Sequence, residues 1–524
     1  MINKTILRAG SAVALALGLY ACNNDAITAL NKNPNSPEDV PPGPLFTEAS
    51  RLTTARWFGG IDLRTYEWVV QQLAEVQYND EDRYIRMHGA DTEGSFNGAY
   101  AGELKDLTQI IAKGLDTKQP GIYAPAFGLR TLVFSFVTDS WGDVPYSTAL
   151  KGDSVGSSLT PAYDNQKDIY TDFFAVLDKA SKDLVGAANG LSGADPIYGG
   201  SPASWQKFIN SLRLRLAIRV VNVDPALASA QIAAAVNAPG GLILTNADNA
   251  YFPWPGDGVY NNPWADNLGA RDDWRMSDRL VNIMNALSDP RLPIYAQPDA
   301  DDLAATPPQT IYRGSPNGVL PEPPNMPVRS STSRPGIIFY KGVTVYGPTF
   351  GGAGASLPTA LLTAAEVNFT LAEASERGLG GLTAGQAAAY YNAGIAASLN
   401  QWNDLAATSG QSISASDMAT YLANPNIVYV GGVAGQKQIA QQKYIALFTD
   451  GATSWFEWRR TCVPNTIVPG PDAELTYVPR RLEYPTTEAT ANGTSLKAAI
   501  AAQGPDILGT PLWWDVKTAA PTCS

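Results

Sequence analysis

The chain has 524 residues, 37 Lys and Arg against 49 Asp and Glu, and a formal net charge of −12. That acidic balance excludes broad binding of DNA, RNA or anionic lipid head groups, and 45% hydrophobic with 16% charged residues excludes a disordered chain. A single histidine, His88, rules out a multi-histidine metal site and leaves one candidate for a histidine-based triad. The opposite excess is 12 Trp and 23 Tyr, amphipathic planes suited to the core or to stacking on flat ligands.

The N-terminus reads as a secretory leader. Lys4 and Arg8 precede an apolar run from Ala9 to Leu17, too short to span a bilayer, which needs about 20 apolar residues. The run ends in Leu19-Tyr20-Ala21-Cys22, with small Ala21 directly before the cysteine and polar Asn23-Asn24-Asp25 after it. This pattern predicts that residues 1–21 are a lipoprotein signal peptide and that Cys22 becomes the acylated first residue, so that the protein is exported and lipid-anchored, outside the cytoplasm. Cys462 and Cys523 then remain as an even pair in an oxidising compartment and are expected to form a disulfide. With no C-x-x-C and no Cys/His cluster, no metal site is expected.

Residues 23–43 are polar and Pro-rich, and Ser36, Pro37 and Asp39 spell the start of a short helix. Helical spacing then dominates to about residue 237. Tyr66, Val69, Val70, Leu73 and Val76 share one helical face, as do Tyr170, Phe174, Leu177 and Leu184, and Phe208, Leu212 and Leu216. The stretch from Ala126 to Phe136 is more apolar, with Pro125 suited to a first helical position. Helices with short turns between them suggest stacked hairpins of the tetratricopeptide kind, although no clean repeat period is visible. Residues 241–360 are rich in Gly, Pro, Asn and Asp, with a sustained helical period only near Ser277 to Leu287, yet Tyr251, Phe252, Trp254, Tyr260, Trp264 and Trp274 are embedded in them. Helices resume at 361, where Thr363 and Glu366 form a capping-box pattern; another is expected from Ala384 to Trp402 and a third from Gln436 to Trp458. The tail, 463–524, is again loop-rich.

Catalytic signatures are weak. Gly152-Asp153-Ser154-Val155-Gly156 matches a nucleophile elbow in letters, but loop residues flank it where a strand and a helix are needed, and His88 precedes the serine. Glu366, Glu373 and Glu376 share a predicted helix, where a cap and Arg partners explain them as well as a glycosidase pair would. Asp139 and Asp143 look like turn and cap residues. Arg459-Arg460, behind Trp455 and Trp458, reads as a structural guanidinium–indole stack more readily than as an anion clamp. No Gly-rich phosphate loop is present, and no cofactor is expected.

The binding candidates are two polar–aromatic loops. Tyr78, Asn79, Arg83 and Tyr84 follow a helix, and Trp254, Tyr260, Asn261, Asn262, Trp264, Asp266 and Trp274 lie in the irregular middle segment. An aromatic face stacks on the C–H face of a sugar or on apolar peptide side chains, while Asn, Asp and Arg supply paired hydrogen bonds.

The order of short motifs resembles the SusD/RagB family of bacterial outer-membrane lipoproteins. The matching pieces are Asn33-Pro34-Asn35; Asp139-Ser140-Trp141-Gly142-Asp143 with Pro145-Tyr146; Tyr163-Asp164 before Ile169-Tyr170; and Ser204-Trp205 with Phe208 and Leu212-Arg213. Next come Asp289-Pro290-Arg291-Leu292-Pro293, Glu366 with Asn368-Phe369, Tyr390-Tyr391-Asn392, Gln442-Lys443-Tyr444, Trp458-Arg459-Arg460 and Arg480-Arg481-Leu482 with Tyr484-Pro485. The resemblance implies a mainly α-helical fold: a tetratricopeptide-like scaffold, about 36–237 and 361–458, with loop-rich parts, about 241–360 and 463–524, packed on it in one domain, 22–524. It also implies a non-enzymatic surface protein that captures a glycan or oligosaccharide and delivers it to a SusC-like TonB-dependent transporter. A peptide-binding member of the same family, a surface glycoside hydrolase and a protein-binding helical scaffold are the alternatives. Binding residues vary between members, so no strict binding motif carries over.

Overall fold

The structure is a computed structural model that describes residues 40–85, 87, 89–152, 158–321, 329–342 and 352–516. The leader, Cys22, the Ser36 cap, His88, Ser154 of the elbow pattern and Cys523 lie outside the described residues.

The protein is mainly α-helical. Helix α1 (Pro42–Ala55) runs on through two π-helical turns, Arg56–Gly60 and Asp62–Tyr66, to Val69. It is followed by α2 (Ala90–Ala101), α3 (Glu103–Asp116), α4 (Pro120–Trp141), α5 (Gln166–Asp183), α6 (Pro202–Arg219) and α7 (Pro225–Val236). The middle segment contributes α8 (Pro263–Ala270) and α9 (Asp278–Leu287). The scaffold is completed by α10 (Ala364–Glu376), α11 (Ala384–Ala406), α12 (Ala415–Leu422), α13 (Gly432–Ala446) and α14 (Gly451–Thr461), with α15 (Gly493–Gln503) in the tail. Neighbours in sequence pack on each other: α3 on α4, α4 on α5, α5 on α6, α6 on α7, α10 on α11 and α13 on α14. This is the stacked-hairpin arrangement of tetratricopeptide scaffolds.

Local signals explain most starts. Asn165 accepts the Asp168 amide and Asp224 that of Leu227, each with Gln or Pro as the first helical residue. Thr363 accepts the Glu366 amide, but the Glu366 carboxylate turns away from the cap and grips Arg215. Gly394 of α11 has no Cβ, and one there would meet the Phe369 ring at 2.8 Å, so this glycine permits the close approach of α10 and α11. Helix α4 is long and apolar enough to cross a membrane by composition, but 89% of that stretch is buried, which makes it the core helix of the scaffold.

Four expectations shift. The helix through Tyr66 and Val69 does not reach Val76; it ends at Val69, and Gln71, at φ +55°, turns the chain into strand β1 (Leu73–Glu75). Pro125 sits inside α4, and Pro120 takes the first-turn position. The helix expected from Gln436 to Trp458 is broken at 447–450, where Thr449 adopts φ +77° and Asp450 caps α14. The middle segment holds an unanticipated helix, α8, because Asn262 caps it and Pro263 occupies its first position.

Strands are short and paired: β2 (Val144–Pro145) with β3 (Tyr163–Asp164), β4 (Ala250–Phe252) with β6 (Thr359–Leu362), and β1 with β5 (Trp274–Met276), all antiparallel. The last pair links the chain after the π-turns to the middle segment.

An ion network occupies the scaffold centre. Asp139 of α4 pairs with Arg219 of α6 at 2.6 Å and accepts the Tyr170 hydroxyl and the Trp514 indole N–H, each at 2.7 Å. It is a central acceptor, not the turn residue its sequence position suggested, whereas Asp143 accepts the Gln166 amide at the start of α5. Arg459 donates to the Asp139 and Arg480 carbonyls and lies over the Trp455 and Trp514 rings, 3.9 and 4.6 Å from their centroids. Arg460 forks onto Glu373, with both bonds at 2.6 Å, and reaches Glu457 at 2.6 Å, which Lys443 also meets at 3.1 Å. Burial works against the Glu457 charge, yet Arg460, Lys443 and Arg219 hold its carboxyl well below the usual range. Cys462, directly after α14, is disulfide-bonded, with its partner outside the described residues.

Replacing Arg460 with Met strips Glu373 and Glu457 of their shared cation inside the core. The expected loss is roughly 3–5 kcal/mol of unfolding free energy, read as a lower urea midpoint. An unchanged midpoint would show that Arg377 and Lys443 suffice for these two carboxylates.

Candidate ligand-binding face

Strand pairing brings the two predicted loops together. In the β1–β5 ladder Leu73 faces Met276, Ala74 faces Arg275 and Glu75 faces Trp274, and the Val76 amide extends it onto the Asp273 carbonyl at 2.9 Å. Tyr78, just beyond the ladder, thereby meets Arg271, whose guanidinium lies 4.6 Å from its ring centroid. Arg271 also pairs with Asp273 and closes the C-terminal end of α8 through its amide. Tyr78 is 64% exposed.

Helix α8 is the spine of this face. Its first residue, Pro263, packs on Gly59 in the first π-turn, where a Cβ would come within 2.6 Å of the proline ring. The second π-turn aims Arg64 across to Asn267 of α8 at 2.7 Å and to Asp91 at the start of α2 at 3.3 Å. Asp266 accepts the Asn261 amide at 2.9 Å and pairs with Lys341. Beyond the N-terminal end of α8, Tyr260 rides a tight loop in which Asp257 accepts the Val259 and Tyr260 amides; it is 47% exposed, with Arg51 over its ring at 5.5 Å. Two exposed phenols, each backed by an arginine, thus flank the ends of α8, whose eight residues span about 12 Å. Asp266, Asn267, Arg64 and Asp91 supply a polar strip between them.

The remaining sequence candidates serve the fold. Trp254, Trp264 and Trp274 are buried and present no ring face to solvent, a correction to their reading as stacking planes: Trp254 donates to Thr359 at 2.8 Å, Trp264 packs against Phe339 and Phe448, and Trp274 lies in the β1–β5 ladder. Tyr84 is buried, and Asn79 is buried with its amide on the Val319 carbonyl. Arg83 holds the Asp472 carbonyl at 3.0 Å. Asn262 caps α8 and ties it to Leu357 at 2.8 Å, and Asn261 shapes the turn by accepting the Gly258 amide. A large apolar ring in a loop with a core beneath it gains more from burial than from display. Of the residues that sequence reasoning missed, Arg64 lay hidden in a helical stretch, and Arg271, Arg51 and Lys341 had no local pattern to mark them.

Beneath Tyr78 lies a compact acidic cluster. Glu75 is buried, and its Oε2 has no hydrogen-bond partner among the described residues. Burial, with the neighbouring charges of Asp82, Glu81 and Asp273, pushes its carboxyl up to about 10, against the pull of Arg271. Asp82 is raised to about 7 by burial, although Asn317 and the Gly318 amide donate to it at 2.7 and 3.1 Å.

The architecture is a helical-repeat scaffold that presents this aromatic and polar face on its irregular segments. The profile of a SusD-like family described as "Starch-binding associating with outer membrane" matches residues 34–485, and the chain belongs to this family. Among solved structures, a chitin-binding SusD homolog from Flavobacterium johnsoniae is 26% identical, with a TM-score of 0.72 over 91% of this chain and 98% of its own. A structure named as a chitin-binding protein is 25% identical, with a TM-score of 0.76 over 91% and 100% of the two chains. A SusD homolog from Bacteroides fragilis, at 24% identity and TM-score 0.75 over 92% and 100%, shares the fold. No curated protein matches the chain.

The acidic cluster carries a pH signature. Unfolded Glu and Asp titrate near pH 4, so between about pH 4 and their raised folded values the folded state binds extra protons, and stability falls as pH rises through that window. Glu75→Gln removes the larger part of that slope. Urea midpoints between pH 4 and 9 are expected to decline less steeply in the variant than in the parent; parallel curves would refute the assignment.

Proposed function

We propose that the protein is a non-enzymatic outer-membrane lipoprotein that captures an oligosaccharide on the α8 face and passes it, unaltered, to a TonB-dependent transporter. The observation that carries this reading is the pair of exposed, arginine-backed tyrosines flanking a polar strip. Aromatic planes stack on sugar C–H faces, and carboxylate, amide and guanidinium groups between them take hydroxyls. A shallow face of this kind holds cargo weakly enough to release it. The anchor is Cys22, acylated after removal of residues 1–21, and Cys523 is the partner of Cys462.

The three carboxylates that the sequence offered as a glycosidase pair are engaged elsewhere, which supports binding without turnover. Glu366 grips Arg215, Glu373 grips Arg460, and Glu376 accepts the Tyr429 hydroxyl and the Gly432 amide. The chitin-binding names of two structural relatives make N-acetylglucosamine oligomers the first ligands to test.

Each stacked ring contributes about 0.5–1.5 kcal/mol, so the double variant Tyr78→Ala/Tyr260→Ala is expected to lose about tenfold in affinity by calorimetry. Its melting temperature should hold, since both rings are largely exposed. Trp264→Ala instead is expected to cost roughly 3–5 kcal/mol of stability through a core cavity. Full affinity in the double variant would remove the α8 face from the binding reading. Binding of peptides but not of chito- or malto-oligosaccharides would transfer the role to peptide capture. Loss of co-purification with a large β-barrel in Cys22→Ala cells tests the anchor and the partner together.

A further inference from the structure

We propose that the cleft between α3, α4 and the start of α5 is a second binding site, for a small molecule that carries a carboxylate beside hydrogen-bond donors, with Arg130 as the carboxylate's anchor. The cleft measures about 470 Å³, within the range of small-molecule sites, and none of its lining residues belongs to the α8 face.

Arg130 is the observation that sets this cleft apart. The other arginines of the scaffold have their acceptors: Arg213 meets Asp178 at 2.8 Å, Arg215 meets Glu366, Arg219 meets Asp139 and Arg460 meets Glu373. Arg130 makes no hydrogen bond and no ion pair among the described residues, and its Nε is fully buried without a partner. Its guanidinium lies over two rings that stand edge to face at 77°, 5.1 Å from the Phe134 centroid and 5.6 Å from that of Tyr146. Burial pulls it below the ordinary arginine range, against the favourable influence of Tyr146 and Asp172. A guanidinium set against two aromatic rings, on the wall of a cleft and with no ion pair among the described residues, suits a bidentate acceptor.

The rest of the lining narrows the ligand. Lys151, exposed at the rim, donates to the Ser147 carbonyl at 2.7 Å and adds a second positive charge. Three carboxylates also line the cleft. Asp164 is engaged by the Tyr146 amide at 3.1 Å and the Ser147 amide at 2.8 Å, Asp172 by the Tyr146 hydroxyl at 2.5 Å, and Asp168 by the Asn165 side chain at 2.5 Å. None of the three bonds Arg130, and each ionised carboxylate has lone pairs beyond the bonds it accepts here. These acids repel a bare phosphate or sulfate. A carboxylate whose neighbours are hydroxyl or ammonium donors satisfies the fork and the acids together. Sugar acids and free α-amino acids both have that chemistry.

The test uses the mature full-length protein and calorimetry with three probes: a galacturonate dimer, an α-amino acid such as glutamine, and a neutral N-acetylglucosamine dimer. At least one of the first two is expected to bind, with affinity lowered about tenfold or more by Arg130→Gln and by a smaller factor in Lys151→Ala. Uronate binding assigns the site to acidic glycans, and amino-acid binding to free amino acids; either supports the cleft. The Tyr78→Ala/Tyr260→Ala variant is expected to leave this binding intact, which separates it from the α8 face. Absence of binding by both carboxylate probes, equal binding of the neutral sugar in the Tyr78→Ala/Tyr260→Ala variant, or insensitivity to Arg130→Gln in folded protein would overturn the proposal. Should Arg130→Gln fail to fold, Lys151→Ala, a change of an exposed side chain, decides the outcome in the same way.

Discussion

The scaffold depends on the pairing of charges in a place where water cannot reach. Asp139, Arg219, Glu373, Lys443, Glu457, Arg459 and Arg460 come from α4, α6, α10, α13 and α14, and all are buried. Desolvating so many charges is unfavourable unless they find partners at short range, so losing the partner of any one of them is costly. It therefore works as a register device. Helices from both halves of the sequence, and the tail through Trp514, must meet at the same point for these groups to find their acceptors. The aromatic faces around Arg459 add contact without adding a counter-charge.

That rigidity is what the α8 face is built on. The α1 helix widens into π-turns where it passes the loop region, and such turns rotate side chains relative to a regular helix. Arg64 gains its reach to α8 and α2 there, and Gly59 opens the space that Pro263 fills. On the other flank the three-residue β1–β5 ladder brings Tyr78 to Arg271. The polar strip is held by the scaffold's own geometry, while the rings at its ends stand on loops, each against an arginine. The same division recurs at the Arg130 cleft, where the cation stands on the core helix α4 and the surrounding acceptors on the chain that follows it.

Helix content was legible wherever an apolar face repeats, as in Tyr170, Phe174 and Leu177 of α5 or Phe208, Leu212 and Leu216 of α6, since burial of that face drives helix formation. It was illegible where polar residues direct the chain: the reversal at Gln71, the break at Thr449 and the capped start of α8 each turn on one or two side chains and their partners far away. Arg459 and Arg460 were readable as structural because indoles stand beside them, but their carboxylate and carbonyl partners lie up to 320 residues distant. The exposed residues of the α8 face were half readable. Tyr78, Tyr260 and Asp266 were singled out, and so were Trp254, Trp264 and Trp274, because a tryptophan in a polar loop looks the same in sequence whether it points into the core or away from it.

The sequence by itself determined the helical class, an acidic balance with a single histidine, and an ordered set of motifs that resembles one family, because periodicity, composition and short capping patterns are local properties of the chain. Only the tertiary structure decided which aromatics are surface and which are core, which arginines have partners and that Arg130 has none among the described residues. Burial and charge pairing are relations between segments far apart in sequence, and they exist only once the chain has closed around them.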